Sequence, residues 1–482
     1  MSSRNVDVAI IGGGTAGMSA YREVRKHTDR IALIEAGPFG TTCARVGCMP
    51  SKLLIAPAEA HHRMAALPAF GIRTNGSEVD GVAVMQRVRD ERDRFVGHVL
   101  EAVDGFEDEH VLRAHAAFAD ANTLELAPAA DGSAPPVERV EARAILLATG
   151  SHATVPPMLE AAGDRLIVSD DVFDWTDLPT SVAVFGAGVI GLELGQALHR
   201  LGVRVRIFGR DGSIGGISDP EVRAYAARVL AEELPLSIDA RDVRLDRSDA
   251  GVVIRFVDDH GSEREESFEL VLAATGRAPT VDGLKLENSG LVLGDNGLPE
   301  FDPQTGQAGD SHVFVAGDAN DFRPLLHEAA DEGRLAGENA ARFPKVYRRA
   351  RRTPLGIVFS DPQIAFVGQR FAELKDSATE FEVGEVSFED QGRARVMLVN
   401  KGLLRVYGEH RSGLLLGAEM IGPQHEHLAH LLSWAIQSRL TVREALEMPF
   451  YHPVIEEGLR TALRMLQKAL GMGPMPPLRC ID

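Results

Sequence analysis

The stretch that decides the fold is VDVAIIGGGTAG, residues 6–17. Its first half is an apolar run typical of a buried strand, and Gly12, Gly14 and Gly17 follow it with the spacing G-x-G-x-x-G. The first glycine permits a tight turn, the second lets backbone approach a pyrophosphate, and the third lets a helix pack closely on the strand. The start of that helix offers free N–H groups to phosphates. The stretch therefore predicts a strand–loop–helix unit that binds a dinucleotide.

One glycine motif alone is a weak signal, so the residues that follow it matter. A helical pattern leads to RIALIE, residues 30–35, a second strand that ends in Glu35. A carboxylate about 20 residues after the glycines accepts hydrogen bonds from ribose hydroxyls in dinucleotide-binding units. A solvated glutamate at a strand end is the alternative, but the complete strand–loop–helix–strand–acid order favours a nucleotide site.

The pattern occurs a second time in SVAVFGAGVIG, residues 181–191, with Gly186, Gly188 and Gly191 at the same spacing. Two nucleotide sites need two ligands, and one flavin plus one nicotinamide is the most economical pairing.

The second unit differs from the first where its next strand ends. The strand VRVRIF, residues 203–208, is followed by Gly209 and Arg210, with no acid. A missing carboxylate beside a guanidinium suits a 2′-phosphate, and hence NADP(H) more than NAD(H). The alternative is that Arg204, Arg206 and Arg210 form one solvated basic face.

Composition and charge narrow the classes of partner. Lys and Arg total 51 and Asp and Glu total 70, a formal net charge of −19, which argues against a nucleic-acid or anionic-membrane binder. The sequence contains no run of about 18 apolar residues, so it predicts no transmembrane helix. The start of the chain lacks the features of a signal peptide, and only three cysteines occur, so we expect a reducing, cytoplasmic setting.

Two of the three cysteines lie in TTCARVGCMPSK, residues 41–52. Zinc sites use repeated cysteine spacings to assemble four ligands, and no second cluster accompanies Cys43 and Cys48, so no metal is expected. A purely structural crosslink closing so short a loop would stabilise little in a reducing compartment. A redox-active disulfide is the better interpretation.

The spacing of the cysteines constrains the backbone. Residues five apart on a regular helix have Cα atoms roughly 8 to 9 Å apart, whereas a disulfide spans about 4.4 to 6.8 Å. The backbone must therefore be distorted, or Cys43 must precede the regular helix. Gly47 and Pro50 supply the means, since glycine relaxes the dihedral restriction and proline removes a helical hydrogen bond.

Ordered motifs along almost the whole chain carry a family resemblance. They are GGGTAG, Glu35, TTCARVGCMPSK, LLATGS, GAGVIGLE, AATGRAPT, FVAGDA and HPVIEEGLR. Together they resemble the flavoprotein disulfide reductases, class I of the pyridine nucleotide-disulfide oxidoreductases, and most of all the dihydrolipoyl dehydrogenase branch.

The resemblance implies an α/β fold with two Rossmann-like dinucleotide-binding domains, for FAD and NAD(P), and a C-terminal α+β dimerisation domain. The expected boundaries are 1–150 for the first part of the FAD domain, 151–276 for the NAD(P) domain, 277–349 for a central domain completing the FAD site, and 350–482 for dimerisation.

The resemblance also implies which residues hold the cofactors. The FAD residues would be Gly12, Gly14, Gly17, Glu35, Lys52, Gly150 and Asp318. The NAD(P)H residues would be Gly186, Gly188, Gly191, Arg210 and Gly276, with Glu193 as the partner of Lys52. Asp318 would hydrogen-bond the ribityl chain, and Lys52 would lie near flavin N5.

The redox chemistry implied by the resemblance uses four side chains. Cys48 corresponds to the thiol nearest the flavin, and Cys43 to the thiol that exchanges with substrate. His452 corresponds to the base, oriented by Glu457, and spacing alone selects Glu457 over the adjacent Glu456. In the family this base comes from the partner subunit, which implies a homodimer.

The choice of branch rests on a few positions. Ser51 resembles the lipoyl and mercuric branches, and a single Cys480 near the end argues against the mercuric one, which usually adds a vicinal pair. Arg210, Val454 and Tyr451 depart from typical lipoyl dehydrogenases. The expected substrate is a lipoyl-bearing protein or free dihydrolipoamide. The alternatives are an NADPH-dependent reductase of another disulfide, a metal ion or a quinone, and a redox-sensing flavoprotein.

Overall fold

The computed structural model describes residues 2–473, so Cys480 lies outside the described residues. The amino-terminal region has a mixed sheet with helices on its faces. Its strands and helices in chain order are β1 Ser3–Ile11, α1 Thr15–Val24, β2 Ile31–Glu35, α2 Thr42–Val46, α3 Cys48–Ala66, α4 Gly81–Asp104, β3 Val111–Arg113, β4 His115–Phe118, β5 Thr123–Ala127 and β6 Arg139–Leu147.

Strand β1 lies at the centre of this first sheet. It pairs in parallel with β2 and β6, so that Ile10 is aligned with both Leu33 and Leu146. All three side chains are fully buried, because parallel sheets are covered by helices on both faces and favour continuous apolar strands. The first glycine loop therefore emerges from the carboxyl end of a buried central strand.

A second region follows with a parallel sheet and an additional antiparallel layer. Its elements are β7 Ser151–Ala153, β8 Leu166–Val168, β9 Ser181–Phe185, α5 Val189–Arg200, β10 Arg204–Phe208, α6 Pro220–Ala231, β11 Leu236–Ser237, β12 Arg241–Ser248, β13 Gly251–Val257, β14 Glu263–Phe268, β15 Leu270–Ala273 and β16 Arg277–Pro279. Strand β9 is central in the parallel order β11-β10-β9-β15-β8, and β12, β13 and β14 form the antiparallel layer.

The two regions meet at a short antiparallel ribbon of β7 and β16. The amide of Thr280 donates to the Gly150 carbonyl at 2.9 Å, and the amide of Thr154 donates to the Gly276 carbonyl at 3.0 Å. These four residues flank the ribbon, where the chain enters and leaves the second region. The ribbon therefore brings a turn from each nucleotide-binding region side by side.

The carboxyl-terminal third returns one strand to the first sheet and then forms an antiparallel sheet. Its elements are β17 Val313–Val315, α7 Leu326–Arg342, β18 Leu355–Val358, β19 Gln363–Gly368, α8 Phe371–Asp376, β20 Phe381–Ser387, α9 Gly392–Val396, β21 Leu403–Glu409, β22 Leu415–Gly422, α10 His425–Gln437, α11 Val442–Leu446 and α12 Glu457–Ala469. β17 pairs in parallel with β6, and the antiparallel order is β18-β19-β22-β21-β20.

Close helix packing shapes this last sheet. A Cβ atom on Gly384 of β20 would lie 2.2 Å from the Ala462 carbonyl oxygen, so the glycine lets α12 lie directly against the strand. Among the helices within residues 2–473, none has both the length and the apolar character needed to cross a bilayer.

His425, the first residue of α10, is an ionisable group within the core of this domain. Its side chain is fully buried, its ring lies 4.8 Å from that of Phe388, and neither ring nitrogen has a hydrogen-bond partner among the described residues. Burial lowers the pKa of His425 to about 3, from an ordinary value of 6.5.

We predict that His425 makes the fold sensitive to acid. The unfolded chain takes up this proton near pH 6.5 and the folded chain only near pH 3, so stability falls as the pH drops through that window. His425→Phe should flatten the pH dependence of unfolding free energy by roughly 2 to 3 kcal/mol between neutral pH and pH 4.5. Urea titrations at several pH values measure it. His430→Gln, at an exposed position of the same helix, should keep the wild-type slope.

Candidate active site

The three glycines of the first glycine loop differ in how closely other atoms approach them. A Cβ atom on Gly12 would lie 2.2 Å from the Ala148 carbonyl oxygen, and one on Gly17 would lie 1.8 Å from the Gly12 carbonyl oxygen. A Cβ atom on Gly14, by contrast, would meet nothing within 4 Å. The first and third glycines are therefore required by the strand and helix, whereas the second faces space that a phosphate can enter.

Glu35 lies beside this loop at the end of β2. One carboxylate oxygen accepts the Gly13 amide at 2.6 Å, and the other accepts the Gly37 amide at 2.6 Å. These bonds hold the side chain in place, and each oxygen keeps a further lone pair for a ligand hydroxyl.

The second glycine loop has the same construction. A Cβ atom on Gly186 would lie 2.1 Å from the Ala274 carbonyl oxygen, and one on Gly191 would lie 1.8 Å from the Gly186 carbonyl oxygen. Gly188 again faces open space. Helices α1 and α5 both begin at the middle glycine without a side-chain cap, so their first N–H groups are available to an anion.

The end of β10 explains sterically why an acid is missing there. A Cβ atom on Gly209 would lie 2.8 Å from the Ile238 Cα atom, so this position excludes any side chain. The next residue, Arg210, has a side chain that is 93% exposed, and its Nε atom lies 3.3 Å from Asp211. A guanidinium therefore stands in solvent where the first site has a carboxylate.

Arg204 and Arg206, unlike Arg210, contact side chains of β14. Arg206 donates to the Glu266 carboxylate at 2.8 Å, and Arg204 lies 3.8 Å from the same carboxylate with its guanidinium 4.5 Å from the Phe268 ring. Both side chains contact β14, and Arg204 is about half exposed (53%), whereas Arg210 is almost fully exposed and makes no contact with β14 among the contacts of the described residues.

The cysteine segment has the backbone distortion that the spacing predicts. Helix α2 ends and α3 begins on either side of Gly47, whose φ and ψ are −130° and −120°. Pro50 lies in the first turn of α3, and because it has no N–H it cannot make the hydrogen bond to the Val46 carbonyl that would continue α2 into α3. The helix breaks at Gly47, and Cys48 becomes the first residue of α3.

The two sulfur atoms, present as thiols, have opposite acidities. A hydrogen bond between the Cys43 and Cys48 side chains raises the pKa of Cys43 and lowers that of Cys48 to about 7, from an ordinary value of 9.0. The positive charge of Lys52 also lowers the pKa of Cys48, against the effect of burial. At neutral pH Cys48 thus has substantial thiolate character, whereas Cys43 keeps its proton.

Lys52 and Glu193 form the ion pair that joins the cysteine helix to the second glycine-loop helix. The ammonium lies 2.7 Å from the carboxylate, and the Glu193 side chain is only 4% exposed. The other carboxylate oxygen accepts the Phe359 amide at 3.0 Å, and the Phe359 ring lies 4.6 Å from the ammonium. Residues from α3, α5 and the loop after β18 therefore meet at one point.

Asp318 belongs to a chain of hydrogen bonds that crosses between the two nucleotide regions. It accepts the Ser151 hydroxyl at 2.7 Å, and the same hydroxyl accepts from Arg277 at 2.9 Å. Arg277 also donates to Asp170 at 3.1 Å. Ser151 and Arg277 directly follow the turns at Gly150 and Gly276, so the residues beside the two turns are connected through side chains.

Ser151 and Arg277 are functional candidates that the sequence reasoning did not assign. Both lie within the motifs LLATGS and AATGRAPT, one residue after the glycine, so their position in each motif was the available signal. Thr149, one residue before Gly150, has a buried hydroxyl without a partner among the described residues. A buried hydroxyl that has no partner and lies beside an open glycine turn is suited to hydrogen-bonding a ligand.

His452 and Glu457 come together in the carboxyl-terminal domain. The His452 Nδ1 atom lies 3.0 and 3.1 Å from the two carboxylate oxygens, and this hydrogen bond lowers the pKa of Glu457. The His452–Pro453 peptide bond is cis. The His452 side chain is 80% exposed, and no hydrogen bond or ion pair joins it to Cys43 or Cys48 within residues 2–473.

Comparison with known proteins places this geometry in a family. Residues 6–333 match the family described as pyridine nucleotide-disulphide oxidoreductase, and residues 355–463 match its dimerisation domain. The chain belongs to the pyridine nucleotide-disulphide oxidoreductases. The resemblance read from the sequence and the predicted α/β fold class with a C-terminal dimerisation domain are both confirmed.

Several relatives of this oxidoreductase cover nearly its whole length. It is 30% identical to a dihydrolipoyl dehydrogenase of Halobacterium salinarum, over 95% of this chain and 96% of that protein. It is 27% identical to a mercuric reductase of Bacillus cereus, over 96% of this chain and 72% of that protein. The solved structure of LpdA from Mycobacterium tuberculosis shares the fold, with a TM-score of 0.80, 24% identity, and coverage of 95% of this chain and 99% of that one.

Membership in this family implies FAD and a nicotinamide nucleotide, and the residues of the first site fit the flavin nucleotide. Gly14 leaves an open cradle, Glu35 is held in position beside it, and the Thr149 hydroxyl is buried without a partner. The oxidoreductase thus has an anion-binding helix start, an acid for ribose hydroxyls and an unsatisfied donor in one place. No cluster of three or more metal-ligating side chains occurs in the described part of the chain.

The acidity of Cys48 provides a test of the thiol geometry. In the reduced protein, alkylation of Cys48 by iodoacetamide should follow a midpoint near pH 7. Cys43→Ala should move this midpoint toward 9.0 by removing the hydrogen bond, and Lys52→Met should move it upward by less. Mass spectrometry of the Cys48 peptide measures the rates. Arg63→Met, at the far end of α3, should leave the midpoint in place, and an unchanged midpoint in Cys43→Ala would contradict the assignment.

Proposed function

We propose that this flavoprotein disulfide oxidoreductase is of the dihydrolipoyl dehydrogenase type, with NAD(P)H and a lipoyl or similar small disulfide as its substrates. The observation that carries the proposal is the pair of thiols with opposite acidities, Cys43 in α2 and Cys48 at the start of α3, beside the Lys52–Glu193 ion pair. A thiolate next to a protonated thiol is the arrangement that thiol–disulfide exchange needs at neutral pH.

The raised pKa of Cys43 determines what else the reaction requires. When the enzyme reduces a disulfide, a base takes the Cys43 proton and the thiolate attacks one substrate sulfur, breaking the substrate S–S bond. The departing sulfur takes up that proton. The Cys48 thiolate then attacks Cys43, forms the Cys43–Cys48 disulfide and releases the second sulfur, which a solvent proton completes. The substrate gains two electrons and two protons, and dihydrolipoyl oxidation is the reverse.

His452, oriented by Glu457, is the proposed base. Its imidazole is exposed and bonded to Glu457 through Nδ1, which leaves Nε2 free for proton transfer. Because it does not contact the cysteines of its own chain, we assign it to the site of a partner copy in a homodimer. Support comes from the dimerisation domain and from exposed Tyr451 and Trp434, 78% and 67% exposed, in the same domain.

The cofactor assignments complete the proposal. FAD, when bound, supplies hydride acceptance from the nicotinamide and electron transfer with the thiol pair. Gly12, Gly14, Gly17, Glu35, Gly150 and Asp318 would hold it, with Lys52 beside its ring. Gly186, Gly188, Gly191, Glu193, Arg210 and Gly276 would form the nicotinamide site. The domain boundaries at 150, 276 and 349 and a cytoplasmic location stay predictions of the same scheme.

The substrate is tested by steady-state assays of the holoenzyme with lipoamide, oxidised glutathione and Hg(II), each with both nicotinamides. We expect turnover of lipoamide or dihydrolipoamide to exceed that of the others, and its absence would contradict the lipoyl assignment. The mercuric alternative, favoured by the Bacillus cereus relative, would appear as Hg(II)-dependent oxidation of NADPH. His452→Gln should lower lipoamide turnover by about 10² to 10⁴, the range expected for a general base.

A complementation experiment tests whether His452 acts on the cysteines of its own chain or on those of the partner subunit. A mixed dimer of Cys43→Ser and His452→Gln chains keeps one site with both cysteines and an intact His452, if the base crosses between subunits. Co-expressed mixed dimers should therefore recover up to half of wild-type activity, whereas each homodimer stays inactive. Mixed dimers without activity would show that the base acts within its own chain.

Coenzyme preference is expected to depend on Arg210. Wild-type protein should have a higher kcat/KM with NADPH than with NADH, because the exposed guanidinium pairs with the 2′-phosphate. Arg210→Gln should lower kcat/KM for NADPH by about tenfold and leave that for NADH nearly unchanged. Arg204→Gln is the matched control, since that side chain faces Glu266 and Phe268. Equal effects of Arg210→Gln on both coenzymes would contradict an NADP site.

A further inference from the structure

The segment between β10 and α6, residues 209–219, links the second glycine loop to the carboxyl-terminal domain, and we call it the coenzyme loop. It contains Arg210 near its beginning. At its middle, the Gly215 amide donates to the carbonyl of Ala187 at 2.7 Å. Ala187 stands between Gly186 and Gly188, so the coenzyme loop is hydrogen-bonded directly to the glycine loop of the second nucleotide site.

Glu419, in the middle of β22, holds the other end of the coenzyme loop. Its carboxylate accepts the amides of Ser218 at 2.7 Å and Asp219 at 3.1 Å, and it also accepts the Ser218 hydroxyl. The Glu419 side chain is 1% exposed. A nearly inaccessible carboxylate of the dimerisation domain thus makes three hydrogen bonds to two consecutive residues of the loop.

Arg370 ties the middle of the loop to the same carboxylate. Its guanidinium donates to the Gly216 carbonyl oxygen and lies 3.3 Å from Glu419. Gly215 and Gly216 both have positive φ, 57° and 73°, a conformation that glycine adopts without steric cost but does not maintain by itself. A Cβ atom on Gly215 would also lie 2.5 Å from the Ile364 side chain, so β19 closes over the loop.

Asp219 extends the attachment to the neighbouring strand. Fully buried, it accepts the Arg405 guanidinium at 2.6 Å and the Tyr407 hydroxyl at 2.8 Å, both from β21. It also caps α6 through the Glu221 amide at 3.0 Å. One residue therefore ends the coenzyme loop, begins a helix of the nucleotide region and binds the dimerisation domain.

The charges in this cluster balance. Burying a carboxylate costs free energy unless cations and hydrogen-bond donors compensate, and Arg370 and Arg405 supply one cation for each of the two acids. Burial works to raise the pKa of Glu419, but the charge of Arg370 and the hydrogen bonds outweigh it, so the pKa lies below its ordinary value. Glu419 is ionised at neutral pH and remains a strong acceptor.

We propose that Glu419 is a positioning residue for nicotinamide coenzyme binding, acting by holding the coenzyme loop against the glycine loop. Through it the dimerisation domain pre-orders a segment that would otherwise lose conformational freedom when the coenzyme binds, and that loss would weaken binding. The inference rests on the proposed function, in that residues 186–191 and Arg210 must form the coenzyme site.

The test measures binding of 2′,5′-ADP and of 5′-ADP to the purified holoenzyme by calorimetry. Glu419→Gln should weaken the preferred nucleotide by about tenfold, and Ser218→Ala by about two- to fivefold. In both variants the amides of residues 215–219 should exchange faster in hydrogen–deuterium exchange. Glu382→Gln is the matched control, because this carboxylate lies on β20 of the same sheet and pairs with His410 at 3.3 Å.

The outcomes distinguish the inference from the function on which it rests. Wild-type affinity and wild-type exchange in folded Glu419→Gln and Ser218→Ala would overturn the positioning role while leaving the coenzyme site intact. If Glu419→Gln does not fold, Ser218→Ala decides alone, since it removes a single hydroxyl. Wild-type protein that binds neither nucleotide would overturn the coenzyme site, and the positioning role with it.

Discussion

The Lys52–Glu193 ion pair is the contact on which the arrangement of the site depends. Glu193 is almost completely removed from water, and its charge is compensated by Lys52 and by the Phe359 amide. Breaking a buried pair from one side leaves an uncompensated charge and costs roughly 3 to 5 kcal/mol. Because Lys52 lies one helical turn after Cys48, and Glu193 lies in the second turn of α5, the helix after the second glycine loop, this pair fixes the thiols relative to that nucleotide site.

The cysteine pair and the His452–Glu457 pair lie in distant parts of the chain, and the proposed reaction uses both. The hydrogen bond that lowers the pKa of Cys48 also raises the pKa of Cys43, so the two thiols differ in acidity. In the proposed exchange reaction, Cys43 therefore needs a base to take its proton. The proposed base, His452, is bonded to Glu457 on an exposed surface of the dimerisation domain, and this is the physical reason for which we place that domain in the catalytic unit.

Short-range features of the fold and site could be predicted, because they follow from local sterics and strand or helix periodicity. The glycine spacings place Gly17 against Gly12 and Gly191 against Gly186, and the cysteine spacing requires the break that Gly47 provides. The missing acid at position 209 was read from the sequence, but its steric cause, the approach of Ile238, comes from a strand-end contact that no local pattern encodes.

The sequence by itself determined the two nucleotide-binding units, the cysteine pair and the His-Pro-x-x-x-Glu motif. Each consists of residues close together in the chain, and their spacing allows few backbone arrangements. Only the tertiary structure decided how these units are joined. The bonds Arg277–Ser151, Ser151–Asp318 and Ser218–Glu419 connect residues 126, 167 and 201 positions apart. Such contacts arise from the packing of whole sheets against one another, and a serine or a glutamate gives no sign in its own neighbourhood of which distant group it will meet.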